Sequence, residues 1–475
     1  MNKTEHRIQF RSHFIVGSGT QVPYGTRVPL VVTIQYERHD ITKLDIKLIP
    51  LGDEKERNAT MVSLQRPFHD RLWLHSDEPS NSSVEVFGIF GISGDGSRMS
   101  LEASGVNIGL TDAPQEHEMT WVVAVELTPS GILISPGIRN FNSTGDVKFE
   151  PITPGEIIVS TAAGELKAGA GYDHIESEEY GNKVIHAVQR ASVTGRVIIP
   201  KGESLASFHK ALVQEIESIC TLLSFCYRQP VDFYEIRYVT DPNNTPRDKM
   251  QRATIRHRRQ AHEKRIDREE LIHYRNLIDG GLNQLLRNYK DSPHREKIAR
   301  AISFLAASYK MDILEASYFL AYSALDLIAS TSQVKDVQLI EPSKWERIQG
   351  LLGDYLDRIA EAEEITSVVG QLKEKLPTLR FQKASGDKRV IEACQRFGVK
   401  TDDLWRKDGF EVGLKSASGI RNRLFHAAGG GYMDDQFVNL VRIRVLVERL
   451  LLGILRWPDE RTWVWKNQEL ARIRD

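Results

Sequence analysis

The order of apolar and polar positions changes character along the chain. Up to about residue 160, short runs rich in Val, Ile and aromatic residues are separated by turn-forming pieces that contain Gly, Pro, Asn or Ser. Several such runs at this spacing predict a β-rich domain over 1–160, either a sandwich or barrel-like. The predicted strands are Val28–Tyr36, Leu44–Ile49, Val84–Ile92 and Thr120–Leu127.

The next stretch, 161–245, mixes the two apolar periods. Val184–Ile199 and Val231–Val239 have the composition of strands, whereas the apolar residues of Leu205–Tyr227 recur at helical spacing. We interpret 161–245 as a mixed strand and helix continuation of the N-terminal region. Residues 246–293 are interpreted as a charged basic connector that contains a helix.

From about residue 294 the apolar period becomes 3.6, which predicts helices only. Predicted helices are Ala299–Ser330, one starting at Pro342, Glu361–Leu376, Lys388–Phe397, Leu404–Ala428 and one starting at Asp434. The last of these is apolar almost all round, which is typical of a helix in the middle of a bundle. The fold class predicted is α+β, with an all-α bundle over 294–456 and a tail over 457–475.

Composition narrows the possible functions. Hydrophobic residues make up 41% and charged residues 27% of the 475 residues, and the formal net charge is -1, so any nucleic-acid surface must be a local patch. Three cysteines cannot form a disulfide framework, and the polar N-terminus has no signal-peptide pattern. Charges interrupt every long apolar segment. These features predict a cytoplasmic protein without a membrane span.

One candidate binding surface is the basic stretch 247–268. It holds Arg247, Lys249, Arg252, Arg256, Arg258, Arg259, Lys264, Arg265 and Arg268. A charge run of this kind is usually a solvated face or linker. The functional alternative is an RNA-binding patch, because clustered arginines contact phosphates. In that alternative Arg256, Arg258 and Arg259 are the candidate RNA contacts.

The candidate catalytic residues lie near the end of the predicted helix Leu404–Ala428. A guanidinium such as that of Arg421 holds phosphate oxygens with two parallel hydrogen bonds, and the imidazole of His426 can move a proton near neutral pH. Asn422 and His426 are four positions apart and share a helix face. An arginine and a histidine five positions apart do not identify a site by themselves, since Arg252 to His257 and Arg268 to His273 have the same spacing.

A polar stripe on the predicted helix Ala299–Ser330 consists of Glu315, Tyr322 and Asp326, spaced seven and four apart. It is interpreted in two ways. The stripe is an exposed face, or Asp326 or Glu315 orients the Arg421 or His426 side chain, since a carboxylate commonly fixes a working imidazole.

Two segments carry a resemblance to a known family. The first is Ile420-Arg421-Asn422-Arg423-Leu424-Phe425-His426 followed by a long apolar helix, and the second is the helix Tyr318–Ile328. Together they resemble a HEPN domain, most similar to the Apea-like HEPN branch, over roughly 294–456. Asp326 stands where the branch often has glutamate, and Ala428 stands where some relatives have tyrosine. More loosely, Ile216–Val231 is similar to the end of the N-terminal domain that precedes such bundles.

The resemblance implies a metal-independent endoribonuclease that acts in bacterial abortive infection against phage, with RNA as substrate and tRNA as a candidate. Catalysis would depend on Arg421, Asn422, His426 and Asp326, with Arg423 as a further RNA contact and no cofactor or metal. A homodimer or higher oligomer through the bundle would bring two motifs to one cleft, supplying base, acid and charge stabilisation together. The β-rich portion would sense a phage-derived trigger or hold the nuclease off.

Two other classes of function stay open from the sequence. HEPN-like bundles also serve as non-catalytic dimerisation or nucleotide-binding adapters in defence or toxin-antitoxin systems. A metal-dependent hydrolase would have to use the acidic group Glu361, Glu363 and Glu364, which has the pattern of a solvated helix end. Cleavage of tRNA in the presence of a chelator distinguishes the three.

Overall fold

The fold is that of a computed structural model of the 475-residue chain. The structure describes residues 5–15, 26–37, 40–64, 71–74, 84–94, 98–110, 112–129, 132–133, 138–141, 147–150, 157–179, 182–243, 245, 250–257, 270–278, 280–331, 342–363, 366–375, 386–426 and 433–458. The chain divides into two units at Lys290 and Asp291. The strands named below all belong to the first unit, and helices build the second.

The strands of the first unit follow the alternation of apolar and polar residues. In β10, for example, Ile157 and Val159 are buried while Ile158 and Ser160 are exposed. The strands are β1 (Glu5–Ile15), β2 (Arg27–Glu37), β3 (Asp40–Pro50), β4 (Arg71–Leu74), β5 (Val84–Gly94), β6 (Met99–Ile108), β7 (Met119–Thr128), β8 (Ile138–Phe141), β9 (Val147–Glu150), β10 (Ile157–Thr161), β11 (Gly164–Glu179), β12 (Asn182–Ile199), β13 (Asp232–Thr240) and β14 (Arg252–His257).

Among the described residues, the first unit has few helices and the second unit is built of helices joined by turns. They are α1 (Glu54–Leu64), α2 (Leu205–Cys226), α3 (Tyr274–Ile278), α4 (Gly281–Asp291), α5 (Arg295–Lys310), α6 (Leu314–Ala329), α7 (Pro342–Glu363), α8 (Thr366–Lys375), α9 (Gly386–Arg396), α10 (Phe410–His426) and α11 (Met433–Ile454). Among the described residues, none of these helices is long and apolar enough to cross a membrane.

Twelve of the described strands form one antiparallel sheet. Its order is β1-β2-β3-β6-β14-β13-β7-β12-β11-β10, with β4 attached through β5 to β6, and β8 pairs separately with β9. β6 joins the two halves of this sheet. One edge of β6 pairs with β5, while the other edge pairs with β3 at Met99–Leu101 and with β14 at Gly105–Ile108.

The sheet extends further along the chain than the sequence predicts. β13 and β14 follow α2 in the chain, yet they lie between β6 and β7 in the sheet. The predicted β-rich domain 1–160 therefore shares its sheet with strands up to His257. β14 also falls inside the predicted connector 246–293, because the many charges there obscure the apolar alternation of Ala253 and Ile255, which are buried.

Helix α2 packs a wide apolar face in the first unit. The side chain of Ser204 caps its N-terminus by accepting a hydrogen bond from the Ser207 amide. Leu212, Ile216 and Ile219 are among its fully buried residues, as the helical spacing predicts. On the same helix, a hydrogen bond of 2.8 Å joins His209 Nδ1 and the Tyr238 hydroxyl of β13, and burial lowers the pKa of His209 to about 4.

The second unit corrects the predicted helix Ala299–Ser330. It is two helices, α5 and α6, and the break lies at Met311, whose backbone is extended at φ -70 and ψ 127. Lys297 at the start of α5 donates a hydrogen bond of 3.0 Å to the Ser330 carbonyl at the end of α6, so the two helices are antiparallel. No Gly or Pro marks this turn, which is why the apolar period alone missed it.

Helix α11 differs from the prediction of an almost wholly apolar surface. Phe437 is exposed, whereas Arg442, Arg444, Glu448 and Arg449 are buried. The buried charges have partners: the Tyr309 hydroxyl donates to Glu448 at 2.6 Å, and Arg449 pairs with both oxygens of Asp403 at 2.6 and 2.7 Å. Paired ions of this kind are tolerated in a helical core.

The fold class is mixed α+β, with one large antiparallel sheet and eleven helices among the described residues. Strands are absent from the described parts of 300–330 and 434–455, which are helical apart from the turn at 311–313 and the terminal residues Ser330 and Leu455.

Candidate functional site

Helix α10 carries the candidate residues, and the buried face of this helix determines which way they point. Leu414, Ala417 and Ile420 are buried, three positions apart. At Gly413, an added Cβ would lie 2.1 Å from Cγ of Trp405, so only glycine allows the indole to approach this closely. With this face inward, the positions that follow Ile420 reach the surface.

Helix α6 contacts α10 in the turn directly before Arg421. The hydroxyl of Tyr318 donates a hydrogen bond of 2.8 Å to the Ala417 carbonyl. Burial raises the pKa of Tyr322, and the neighbouring Ser418 side chain opposes this shift. The rings of Tyr318 and Tyr322 stack with centroids 6.5 Å apart and planes at 12°. Both tyrosines are buried, and they pack beside the next turn of α10.

Arg421 is held by two residues of α6. Its guanidinium lies 3.3 Å from a carboxylate oxygen of Asp326, and its carbon lies 5.1 Å from the centre of the Tyr322 ring. The Arg421 side chain is 35% exposed and that of Asp326 is 42% exposed. The guanidinium is therefore oriented by a carboxylate and a ring face while part of it remains accessible to a ligand.

Other charged groups lie close to this pair. Burial raises the pKa of Asp326; the charge of Arg421 opposes the shift, Asp387 adds to it and Arg389 opposes it. Burial also raises the pKa of Asp387, and Lys415 opposes that shift. Charged groups from α6, α9 and α10 thus affect the ionisation of Asp326 and Asp387.

The remaining candidates of the motif are on the same stretch of α10. Asn422 and Arg423 are exposed. His426 is the last residue of the helix, one turn after Asn422, and its side chain lies outside the described residues. The backbone therefore presents Arg421, Asn422 and His426 within two turns.

The structure corrects the role of Arg256. Its side chain is fully buried in β14, and its guanidinium donates to Glu235 at 2.7 Å between the rings of Tyr36 and Tyr234, at 4.9 and 5.0 Å. A phosphate does not reach a group enclosed in this way, so we remove Arg256 from the candidate RNA contacts. Burial of one member of a charge run is not visible in sequence composition. Arg258 and Arg259 lie outside the described residues.

The two histidines that share the spacing of the motif have different surroundings. His257 ends β14, and its ring makes edge contacts with Phe87 and Phe233 at 5.4 and 5.5 Å. His273 lies just before α3, with its ring 4.7 Å from that of Tyr274. Neither is on a helix with its matching arginine, and Arg268 lies outside the described residues.

The other acidic residues considered from the sequence are on α6 and around the end of α7. Glu315 is exposed in the first turn of α6, at the opposite end of the stripe from Asp326. Glu361 is exposed on α7, and the side chains of Glu363 and Glu364 lie outside the described residues. In the described part of the chain, no group of three or more His, Cys, Asp or Glu is arranged to hold a metal ion.

Two contributors to the site were missed from the sequence. Tyr318 lies four positions before Tyr322, a helical spacing that could have placed it on the same stripe. Asp387 opens α9, and no local pattern connects it with a residue sixty positions away on α6. Contacts between distant segments of this kind depend on how the helices pack.

Comparisons with known proteins give no relative for this chain: no family model, no curated protein and no solved structure matches it.

Proposed function

We propose that this chain is a metal-independent endoribonuclease of the HEPN type that cleaves RNA, with tRNA as the candidate substrate, in abortive infection. The observation that supports it best is the half-exposed Arg421, held by Asp326 and Tyr322, on the helix that also carries Asn422 and His426. A guanidinium with fixed orientation and an accessible edge suits a phosphodiester.

The proposed reaction uses the ribose of the substrate as nucleophile. The 2′-oxygen attacks the adjacent phosphorus, the bond from phosphorus to the 5′-oxygen breaks, and a cyclic phosphate and a free 5′-hydroxyl result. His426 of one copy takes the 2′-hydroxyl proton and His426 of the other returns a proton to the leaving oxygen. Arg421 and Asn422 stabilise the charge that develops on the phosphate oxygens.

This mechanism needs two copies of the motif, because one histidine does not act as base and acid in the same step. We therefore propose a homodimer or higher oligomer in which two Arg421–His426 sets share one cleft. The β-rich first unit would receive a phage-derived trigger or restrain the nuclease. RNA recognition would extend to Arg423, which is exposed beside Arg421.

The experiment is cleavage of total tRNA by the purified chain in EDTA, with and without extract of phage-infected cells. We expect cleavage in chelator, its loss in His426→Ala, and a loss of about two orders of magnitude in Arg421→Ala, which corresponds to ~3 kcal/mol of transition-state stabilisation. Asn422→Ala should cost less, since a neutral amide stabilises less charge.

His273→Ala is the matched control, because it shares the spacing without the helix. It should cleave like wild type. His273→Ala removes a ring contact with Tyr274 and His257→Ala removes ring contacts with Phe87 and Phe233, so both variants need a stability check. Equal losses in His426→Ala and His273→Ala would refute the assignment of the motif. Cleavage that disappears in chelator would point to a metal-dependent hydrolase.

A second candidate is the non-catalytic adapter. It is favoured by the contact of Arg421 with Asp326, since an ion pair that only braces α10 against α6 would have the same geometry. An oligomeric protein that cleaves no RNA under either condition, and that keeps its oligomeric state in Arg421→Ala, would support the adapter.

A further inference from the structure

Helices α7 and α8 form a two-helix hairpin. The Lys373 ammonium pairs with Asp357, and its side chain passes 3.6 Å from where Gly353 would carry a Cβ. Ala360 and Val369 are buried. Later residues of α8 thus meet earlier residues of α7, so the two helices run antiparallel.

The hairpin leaves much of its apolar surface exposed. Among the α7 side chains that the structure describes, Ala360 alone is buried. Leu352 is 39% exposed and Tyr355 is 61% exposed, and Leu351 is similar to Tyr355. α8 adds Val368 and Leu372, both about half exposed and one helical turn apart. An apolar face of this extent on a soluble chain marks an interaction surface.

Five apolar residues of α7 are arranged symmetrically; Leu352 is exposed and the other four are half-buried, whereas Leu351 and Tyr355 lie outside this set. Trp345, Ile348, Leu352, Leu356 and Ile359 are spaced three, four, four and three apart. At about 100° per residue they occupy an arc of roughly 80° on one side of the helix. Reversing the direction of the helix about Leu352 reproduces the same stripe. Such a stripe is complementary to a second copy of itself that runs the opposite way.

The charges of α7 favour the same partner. Between 344 and 361 the half before Leu352 carries two cations and one anion, and the half after it carries three anions and one cation. This order opposes the helix dipole, which favours acids at the N-terminus and bases at the C-terminus. In an antiparallel pair, the basic half of each helix lies beside the acidic half of the other.

We propose that α7 is a self-association surface on which two copies of this chain pair antiparallel about Leu352. The two-fold axis sets Leu352 against its own copy, Trp345 against Ile359 and Ile348 against Leu356. One patch then serves both subunits, as a two-fold interface requires. The proposal uses no feature of the Arg421 site, so it stands or fails independently of RNA cleavage.

The first test is the mass in solution by light scattering at micromolar concentration. Wild type should have at least twice the 53.9 kDa chain mass, and Leu352→Arg should have half the mass of wild type, because two like charges would meet at the axis. This halving is expected whether or not a second interface joins two Arg421 sets. Ile198→Arg is the control, since Ile198 is also an exposed apolar residue, on β12. A monomeric wild type, or a Leu352→Arg variant with the same mass as wild type, would overturn the proposal.

The second test reports the register. Leu352→Cys should cross-link to its own copy with a short thiol-reactive linker, and Asp354→Cys should not, since it points about 160° away round the helix. The native cysteines Cys220, Cys226 and Cys394 are buried and give little background. Equal cross-linking of the two variants, or none in Leu352→Cys, would refute pairing about Leu352 even if the chain is dimeric.

Discussion

Arg256 and Arg421 have the same kinds of partner in two different surroundings. Each guanidinium pairs with a carboxylate and lies about 5 Å from tyrosine rings: Glu235 with two rings for Arg256, Asp326 with one for Arg421. The side chain of Arg256 is fully buried, whereas that of Arg421 is 35% exposed. Burial decides which arginine is available to a ligand.

The environment of Arg256 is a network inside the sheet. Glu235 also lies 3.0 Å from Arg237, and Glu126 lies 3.0 Å from Arg190. Arg256, Glu235 and Glu126 are withdrawn from water and are held by their partners, so removing Arg256 leaves a buried carboxylate unbalanced. The Arg421 pair is open on one side, so the guanidinium can exchange part of its contact with Asp326 for a phosphate at a small cost in free energy.

The largest expected effect is on the free energy of unfolding. Arg256→Ala should lower it by about 3 kcal/mol, because Glu235 loses a buried counter-ion. Arg421→Ala should lower it by less than about 1 kcal/mol, since the ion pair is half exposed. Urea titration followed by fluorescence and circular dichroism measures both values.

Arg252→Ala is the control for that comparison, because Arg252 is on the same strand and is exposed. It should leave the urea midpoint close to that of wild type. If Arg421→Ala destabilises the chain as much as Arg256→Ala, then Arg421 is a structural residue and the comparison fails.

The next effect is on the RNA cleavage that we propose. We expect Asp326→Asn to lower kcat about tenfold, because a neutral amide orients the Arg421 guanidinium less firmly. RNA should bind somewhat more tightly, since a negative charge beside the phosphate is gone. Steady-state cleavage of tRNA separates kcat from KM. Asp326→Glu should restore most of the rate, whereas a loss of fold would lower both variants alike.

Much of the fold follows from local patterns. The predicted strand Val84–Ile92 lies within β5, and the predicted helix Leu205–Tyr227 differs from α2 by one residue, because strong periodicity survives packing. The order of the strands in the sheet could not be predicted from the sequence. β14 inserts beside β6 although the two are far apart in the chain, and pairing over that distance has no local signal.

The sequence predicted the site, like the fold, only as far as local spacing allows. The helical spacing of Tyr322 and Asp326 selects a stripe, but only packing against α10 shows that Asp326 meets Arg421 and Glu315 stays in solvent. Arg256 is the opposite case, because a charged residue in a basic run gives no sign that it will be enclosed. Charge in a sequence predicts exposure on average and fails where a partner is buried with it.

The smallest expected effect concerns pH and Asp387. Burial raises the pKa of this carboxyl, although Lys415 opposes the shift, so the folded chain binds its proton more tightly than the unfolded chain does. The stability linked to Asp387 is therefore present below the ordinary aspartate pKa and is lost as pH rises through the raised pKa. Asp387→Asn should remove this loss. Relative to wild type, its urea midpoint should rise slightly between about pH 4 and about pH 7.

Asp408→Asn, at an exposed aspartate just before α10, is the matched control and should show no such rise. The same carboxyl acts on Asp326, whose own pKa is raised by burial, opposed by Arg421 and increased by Asp387. Neutralising Asp387 should thus also keep Asp326 ionised at a lower pH and preserve its contact with Arg421. A midpoint difference that shrinks as pH rises would contradict this sign. It would mean that the attraction of Lys415 for the Asp387 carboxylate outweighs the effect of burial. The charges around Arg421 would then be balanced by their partners, as those around Arg256 are.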